Sequence, residues 1–332
     1  MRIFRHHTEL PAEARGGVVA LGNFDGVHLG HQAVIGTALR VARDARAPCG
    51  VMTFEPHPRA VFNPALPPFR LTPFRIKARH IEALGVDYLF MQHFDLHFAT
   101  YSAERFVEEV LVAGLAVSNV VVGYDYVFGH GRKGNCDLLR ELADTHGFSS
   151  TCVSPVCGPD HEVYSSTRVR DLLVAGRPAE AARLLGRYWE VEGRVEAGDR
   201  RGRTIGFPTV NIRLGEYLHP ATGVYAVRAG VDRGGDTVWL DGVANFGNRP
   251  TFGGGDVLLE THLFDFDGNL YGQHLRVALV EHLRPETKFA GIDDLKRQIA
   301  EDCGRARAVL SALAFPVMPG PKVPAPPNAP KR

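Results

Sequence analysis

The sequence has no apolar run close to the roughly 20 residues that a membrane span needs, and its amino terminus lacks the apolar core of a signal peptide. It also has almost no charge imbalance: the formal net charge is +1, which gives no reason to expect nucleic acid or an anionic membrane as a partner. Its cysteines are few, odd in number (five) and irregularly spaced, which favours reduced thiols. These absences predict a cytoplasmic protein without nucleic-acid or membrane partners, and they leave its oligomeric state open.

The chain of 332 residues is long enough for about two domains, and its two halves differ in the order of their predicted strands and helices. Up to about residue 186, short β-rich runs alternate with helical stretches, which is typical of a parallel sheet covered on both faces. The predicted strands there are 18–21, 50–54, 87–91, 119–122 and 151–156, and the predicted helices are 32–45, 74–85, 103–113 and 137–146.

From residue 189 onward, six strand candidates are separated by glycine-rich turns and followed by one helix, which predicts a small antiparallel barrel. The candidates are 190–195, 209–212, 224–231, 237–246, 257–264 and 274–283, with the helix at 292–313. Residues 315–332 are rich in proline and poor in apolar residues, as in a disordered tail. We therefore expect domains at 1–186 and 187–314, followed by that tail.

A His-x-Gly-His sequence follows the first predicted strand, so that His28 and His31 lie at the start of a helix. A helix start exposes backbone N–H groups and carries partial positive charge, so it can hold phosphate, and Gly30 lets a bulky ligand approach the backbone. Two imidazole donors can stabilise charge that develops at an attacked phosphorus. The pattern suggests nucleotidyl transfer. A helix cap or a metal site also fits, although zinc is disfavoured because no Cys or acidic residue lies nearby at ligand spacing.

Aromatic residues follow the second and fourth predicted strands. Phe54 and Phe62 offer flat faces beside a loop fixed by Pro56 and Pro58, which suits either an aromatic ligand or a core edge with a turn. A Gly-x-Gly-x-x-Gly pattern lies within residues 129–134. It does not follow the first strand, and no acidic residue ends a following strand at the expected distance, so we do not expect NAD. This loop remains a candidate for holding flavin or phosphate.

The run from Ser165 to Arg170 opens another predicted helix. Ser165, Ser166 and Thr167 are good capping residues. Alternatively, their hydroxyl groups contact a triphosphate, with Arg170 neutralising charge on the departing pyrophosphate.

In the second half, residues 198–211 form a basic, glycine-rich loop that enters a strand, which fits a phosphate cradle or a solvated hairpin but not a Walker loop. Thr209 and Asn211 alternate by two, so both side chains face one side of a strand, and their oxygens suit Mg²⁺ shared with phosphates. Glu260 lies between apolar neighbours, as a rim residue or as a general base.

Taken in order, these stretches resemble the bacterial bifunctional riboflavin kinase/FAD synthetase family. The residues that carry the resemblance are 22–32, 53–58, 122–134, 165–170, 202–211, 242–252 and 260–265. It implies an α/β Rossmann-like adenylyltransferase domain with a parallel sheet, followed by a six-stranded kinase β-barrel with a C-terminal helix. The second domain would phosphorylate riboflavin to FMN with ATP and Mg²⁺. The first would transfer AMP from a second ATP to FMN, releasing pyrophosphate.

The resemblance also implies roles for individual residues. In the first domain, His28, His31 and Arg170 would be catalytic, and the further ATP-binding residues would be Gly22, Asn23, Phe24, Asp25, Gly30, Ser165, Ser166 and Thr167. The flavin would be bound by Phe54, Pro56, Pro58, Phe62, Asp125 and Phe128. In the barrel, Glu260 would be the general base, Thr209 and Asn211 would hold Mg²⁺, and Gly202, Arg203 and Gly206 would bind ATP.

Two other functions are compatible with parts of this pattern. One is adenylyl transfer alone, with a degenerate barrel, but the presence of Thr209, Asn211 and Glu260 argues against it. The other is a non-catalytic flavin carrier, which has no need of two phosphate-binding loops and a placed carboxylate.

Overall fold

A computed structural model describes residues 1–158, 161–196, 206–233, 236–247 and 257–312. Within these residues the chain forms two compact units. The first comprises Met1–Pro67 and Phe74–Tyr164, and the second comprises Pro68–Pro73 and residues 165–312. None of the helices in these ranges is both long enough and apolar enough to cross a membrane.

The first unit is built on a six-stranded sheet with the order β1-β4-β3-β2-β5-β6, in which every pairing is parallel. Its strands are β1 (Arg2–Phe4), β2 (Val18–Leu21), β3 (Cys49–Glu55), β4 (Tyr88–His93), β5 (Asn119–Gly123) and β6 (Ser149–Val153). Its helices are α1 (Leu29–Ala45), α2 (Pro58–Phe62), α3 (Phe74–Glu82), α4 (Ala103–Arg105), a π-helix (Phe106–Gly114) and α5 (Cys136–His146). The predicted parallel sheet is confirmed.

Helices cover both faces of this sheet because the central strands are apolar on both sides. In β2, Val18 and Ala20 pack into one apolar cluster with α1 and α3, whereas Val19 and Leu21 pack into another with the π-helix and α5. Burial on both faces explains the continuous apolar runs in the sequence. Because β2, β3 and β5 are parallel, their carboxyl ends lie at the same edge of the sheet, and the loops that follow them are where ligands of parallel sheets bind.

The structure differs from the prediction for the first half in several elements. The three-residue strand β1 and the five-residue helix α2 are too short to produce a periodic signal. The helix predicted at 103–113 changes into a π-helix at Phe106. Cys136 and Cys152 form a disulfide, so the expectation of reduced thiols is wrong for this pair. Cys136 begins α5 and Cys152 lies on β6, which brings their Cα atoms to 6.2 Å, and their spacing in the sequence gave no sign of this contact.

The second unit contains a closed barrel with the strand order β10-β11-β8-β7-β12-β9, joined by antiparallel pairings. Its strands are β7 (Trp189–Glu196), β8 (Val210–Arg213), β9 (Gly223–Arg233), β10 (Asp236–Gly247), β11 (Leu258–Leu263) and β12 (His274–Arg284). The helices of this unit are α6 (Ser166–Val174), α7 (Pro178–Leu185) and α8 (Ile292–Ala312). The predicted six-stranded barrel with a C-terminal helix is confirmed.

Helix α8 packs against the outer face of the barrel through an apolar cluster that includes Ala306 and Leu310 of the helix and Val280 of β12. A buried ion pair fixes the same contact, because Arg284 holds Asp302 through bonds of 2.8–3.0 Å. Asp302 is only 2% exposed. A paired and hydrogen-bonded carboxylate is the form in which a charge tolerates such burial.

Pro68–Pro73, which lies between α2 and α3 in the chain, forms part of the second unit. Arg70 makes a parallel β-bridge with Tyr217, and the backbone N–H of Leu218 donates to the Arg70 carbonyl at 2.8 Å. The indole N–H of Trp189 donates to the Leu71 carbonyl, also at 2.8 Å. Backbone and side-chain bonds thus hold this short segment to the barrel unit.

Candidate active sites

The two predicted histidines begin α1 and contact each other. The ring of His28 caps the helix, because its Nδ1 accepts a hydrogen bond from the backbone N–H of His31 at 3.3 Å. The two imidazoles stack with their centroids 3.6 Å apart. A ring nitrogen that accepts from a backbone N–H carries no proton, so the proton of a neutral His28 lies on Nε2. Capping, one of the alternatives left open by the sequence, is therefore present, and it leaves Nε2–H of His28 as a donor.

The structure gives a reason for glycine at position 30 that the sequence did not reveal. A Cβ at this position would lie 3.1 Å from Cε1 and Nδ1 of His28 and 3.3 Å from the carbonyl oxygen of Tyr164. Glycine at this position therefore leaves room for the His28 ring, which folds back over the first turn of α1.

The β2–α1 loop, residues 22–28, combines buried and exposed groups. Phe24 is 1% exposed and packs beneath Gly22, where a Cβ would lie 3.0 Å from its ring. Asp25 is also buried, whereas Asn23 is exposed. The carbonyl oxygen of Asn23 accepts a hydrogen bond from Thr53 Oγ1 at 3.1 Å. The Phe24 side chain therefore belongs to the core.

The predicted flavin residues that follow β3 divide between the core and the surface. Phe54 is buried among other rings, while Phe62 on α2 is 64% exposed and meets Phe94 edge to face at 5.7 Å. The Glu55–Pro56 peptide is cis, and Pro58 occupies the first turn of α2. The side chain of His57 caps α2 by accepting from the backbone N–H of Arg59. Of these residues, Phe62 offers the open aromatic face.

The glycine-rich loop after β5 is closed at its base by two backbone hydrogen bonds between Phe128 and Gly134. Phe128 is buried beneath Gly134, where a Cβ would lie 2.7 Å from its ring. Asp125 is exposed at the start of the loop. The residues at the tip share exposure and positive or potentially positive charge: they are His130, Arg132 and Lys133.

A continuous aromatic cluster connects these two predicted flavin segments. Its ring-to-ring contacts join Phe54, Phe94, Phe98, Phe106, Tyr126 and Phe128, with Phe62 at the exposed edge. Burial raises the pKa of the Tyr126 phenol well above its ordinary value, so this ring stays neutral. Sequence reasoning did not identify Phe94, Phe98 or Phe106, because they lie on separate elements that only the fold brings together.

The Ser165–Arg170 run begins α6 and lies in the second unit. Ser165 is the helix cap, since its Oγ accepts from the backbone N–H of Arg168 at 3.2 Å. Ser166 is half-buried and Thr167 is exposed. Nε of Arg170 donates to the carbonyl oxygen of Phe69 at 2.8 Å, which orients the guanidinium group.

In the barrel, Asn211, Glu260 and Asn245 form a row across three neighbouring strands. Glu260 lies directly opposite Asn211 in the β8–β11 pair and directly opposite Asn245 in the β10–β11 pair. Directly opposite residues of an antiparallel pair place their side chains on the same face. Asn211 is 6% exposed, and its Oδ1 is buried with no hydrogen-bond partner in the described part of the chain.

The remaining predicted barrel residues either precede β8 or fall outside the described residues. Thr209 is half-buried immediately before β8, and Gly206 adopts a φ of 93°. Gly202 and Arg203 lie outside the described residues. Asn245 was not predicted as a site residue, although it lies within the stretch 242–252 that carried the resemblance. Its Nδ2 donates to Glu286 Oε1 at 3.3 Å, just after the end of β12.

Comparisons with known proteins agree with this two-part architecture. A family model described as FAD synthetase matches residues 10–168, and one described as riboflavin kinase matches residues 185–310. The bifunctional riboflavin kinase/FMN adenylyltransferase of Escherichia coli K12 is 42% identical over 296 residues, covering 89% of this chain and 93% of that protein. The protein of the same description from Bacillus subtilis 168 is 38% identical over 313 residues, covering 93% and 96%.

A solved structure supports the fold. The crystal structure of a Streptococcus pneumoniae protein, described as a macrolide-efflux protein, matches with a TM-score of 0.80 and 31% identity. The match covers 92% of this chain and 98% of that one, so the whole two-part architecture is shared.

A parallel sheet with a stacked histidine pair at a helix start, joined in one chain to a closed barrel with a glutamate between two asparagines, defines a two-part transferase. The chain belongs to the family of bifunctional riboflavin kinase/FMN adenylyltransferases. It phosphorylates riboflavin to FMN with ATP, and it adenylylates FMN to FAD with release of pyrophosphate. Because this family catalyses both reactions, membership argues against both alternatives, a degenerate barrel and a non-catalytic carrier.

Proposed function

We propose that residues 1–186 carry adenylyl transfer and residues 187–314 carry riboflavin phosphorylation, with residues 315–332 as a tail outside both. The extents of the two family models support this division, because one match ends at residue 168 and the other begins at residue 185. The stacked pair of His28 and His31, in which His28 caps α1, carries the assignment of the first reaction most strongly.

In adenylyl transfer, a phosphate oxygen of FMN attacks the α-phosphorus of ATP, and the bond from that phosphorus to the pyrophosphate oxygen breaks. His28 and His31 stabilise the charge that develops on the α-phosphate oxygens, since the protonated Nε2 of His28 is a donor beside the positive end of α1. Arg170 neutralises the departing pyrophosphate. The remaining proposed ATP contacts are Gly22, Asn23, the backbone of Phe24, Asp25, Gly30, Ser165, Ser166 and Thr167.

The flavin ring system packs against Phe62, the exposed edge of the aromatic cluster. Stacking on a large exposed ring gives an isoalloxazine both apolar contact and orientation. Phe54 and Phe128 support this surface from the core, and the prolines at 56 and 58 fix the backbone that presents α2. Asp125 contributes a polar contact from the loop after β5.

In the kinase reaction, Glu260 accepts the proton of the ribityl 5′-hydroxyl while the hydroxyl oxygen attacks the γ-phosphorus of ATP. The bond between the γ-phosphorus and the bridging oxygen breaks, and ADP leaves. Asn211 and Thr209 fit a Mg²⁺ site, because Asn211 Oδ1 is a buried oxygen without a hydrogen-bond partner in the described chain and both side chains offer the hard oxygens that this ion prefers. The chemistry that bound Mg²⁺ supplies is neutralisation of phosphate charge. Gly202, Arg203 and Gly206 are the proposed contacts to the nucleotide.

Replacing Asn211 by alanine tests this magnesium assignment. We expect the Mg²⁺ concentration for half-maximal FMN formation to rise at least about tenfold, because loss of one oxygen ligand weakens binding, whereas the Mg²⁺ dependence of FAD formation from supplied FMN should stay unchanged. The two reactions are assayed across a Mg²⁺ titration. Asn269→Ala in an exposed turn of the same barrel is the matched control. An Asn211→Ala protein with an unaltered Mg²⁺ curve for FMN formation would refute the assignment.

The absence of nucleic-acid and membrane partners and the cytoplasmic location stay predictions from the sequence. ATP, riboflavin and FMN as substrates follow from the family.

A further inference from the structure

Lys77 of α3 is a lysine whose side chain is completely buried. Its Nζ lies 2.8 Å from Glu55 Oε1 and 3.2 Å from Thr53 Oγ1. Glu55 is 12% exposed and Thr53 is fully buried. Removing an ammonium group from water is costly, so a buried lysine requires a charged partner and good hydrogen bonds, and both are present here.

The bonds of Lys77 extend to the loop that leads to the histidine pair. A threonine hydroxyl has one proton to donate, and Thr53 Oγ1 donates it to the carbonyl oxygen of Asn23 at 3.1 Å. The lone pairs of the same oxygen accept from the Lys77 ammonium. A chain of two hydrogen bonds therefore runs from α3 through β3 to the β2–α1 loop.

The other partner of Lys77, Glu55, lies at the start of the segment that leads into α2 and the predicted flavin residue Phe62. Glu55 is the last residue of β3 and directly precedes Pro56, His57 and Pro58, which lead into α2 and Phe62. One ammonium group thus holds the two chain segments that follow the neighbouring strands β2 and β3. These are the segments to which the proposed function assigns the nucleotide and the flavin.

We propose that Lys77 is a positioning residue for adenylyl transfer, which fixes the β2–α1 loop relative to the start of α2. This inference rests on the proposed placement of adenylyl transfer in residues 1–186. A buried ion pair adds little net stability compared with apolar residues of the same volume, but it specifies one geometry. In-line attack of one phosphate on another depends on such geometry, and small displacements of reactants are expensive in rate.

Lys77→Met keeps an unbranched side chain, one atom shorter than lysine, and removes its charge and its donors. We expect kcat for FAD formation from FMN and ATP to fall about 30- to 100-fold, because the two segments lose their common anchor. The KM for ATP should change by less than about threefold, and FMN formation by the same protein should stay within about twofold. Lys296→Met, at an exposed position of α8, is the matched control and should change neither reaction.

The double variant Lys77→Met/Glu55→Gln separates positioning from charge balance. Lys77→Met alone leaves the Glu55 carboxylate without its ammonium partner, which lowers the melting temperature. In the double variant the melting temperature should return toward that of the unaltered protein, while FAD formation should stay at least about tenfold slower than in the unaltered protein. A double variant with restored FAD formation would show that Lys77 merely balances Glu55, and it would overturn the proposal. So would an equal loss of both reactions in Lys77→Met.

Thr53→Val removes only the hydroxyl that links Lys77 to Asn23, and it provides the decisive result if Lys77→Met fails to fold. About tenfold slower FAD formation with unaltered FMN formation is expected. Unaltered FAD formation in Thr53→Val would contradict the hydrogen-bonded chain. Loss of FMN formation alone in any of these variants would instead overturn the placement of the two reactions, which is the proposed function and not the role of Lys77.

Discussion

Replacing His28 by asparagine should lower the rate of FAD formation from FMN about a thousandfold while FMN formation from riboflavin continues at its normal rate. Removal of one donor that stabilises a developing anion costs about 10²- to 10³-fold, and here the stacked partner His31 also loses its neighbour. Asparagine is a strong helix-capping residue, so the start of α1 stays ordered. Both reactions are measured on the same preparation by separating FMN and FAD.

Comparison with His28→Ala separates the two roles of the ring. Alanine removes the imidazole and the cap together, which should lower the free energy of unfolding by a further ~1 kcal/mol relative to asparagine. FAD formation should be equally low in the two variants if the imidazole itself acts on the phosphate. An asparagine variant with normal FAD formation would mean that His28 serves only as a cap, and the assignment of the adenylyl site would fail.

Replacing Glu260 by glutamine should have the opposite selectivity: FMN formation should fall about a thousandfold, and FAD formation from supplied FMN should be unaltered. Glutamine keeps the shape of the side chain in the row between Asn211 and Asn245 but cannot accept the proton of the ribityl hydroxyl. Loss of a positioned general base costs about 10²- to 10⁴-fold. Rates are measured with riboflavin and with FMN as separate substrates.

A control for this prediction lies two residues further along β11. His262, which contacts the Pro208 carbonyl, has the same strand orientation as Glu260, so His262→Gln tests whether any change on this face slows the kinase. We expect a much smaller loss than in Glu260→Gln. If Glu260→Gln still phosphorylated riboflavin at more than about a tenth of the normal rate, Glu260 would not be the base.

Most of the fold could be predicted from the sequence because the pattern of apolar residues reflects burial directly. All of the predicted strands are present, with ends shifted by at most three residues, as at the end of β6, which was predicted at 156 and lies at 153. The elements that the sequence did not predict have physical explanations. Strand β1 spans only three residues and helix α2 only five, and a π-helix differs from an α-helix in hydrogen bonding more than in apolar pattern.

The candidate sites were harder to predict because side-chain contacts depend on how separate elements meet. Phe54 and Phe62 were both predicted as flavin-binding residues, and the sequence could not show that Phe54 is buried while Phe62 presents an exposed face. The role of Gly30 depends on where the His28 ring folds. Asn245 and Lys77 carried no local signal, since one becomes significant through strand pairing and the other through complete burial.

The central claim is that one chain has two separate catalytic sites, and mixing two variants tests it most directly. His28→Asn should stop at FMN when supplied with riboflavin and ATP, and Glu260→Gln should not form FMN. An equimolar mixture of the two proteins should convert riboflavin to FAD, because FMN released by one variant is the substrate of the other. A mixture that produces no more FAD from riboflavin than either variant alone, with both proteins folded, would contradict the account.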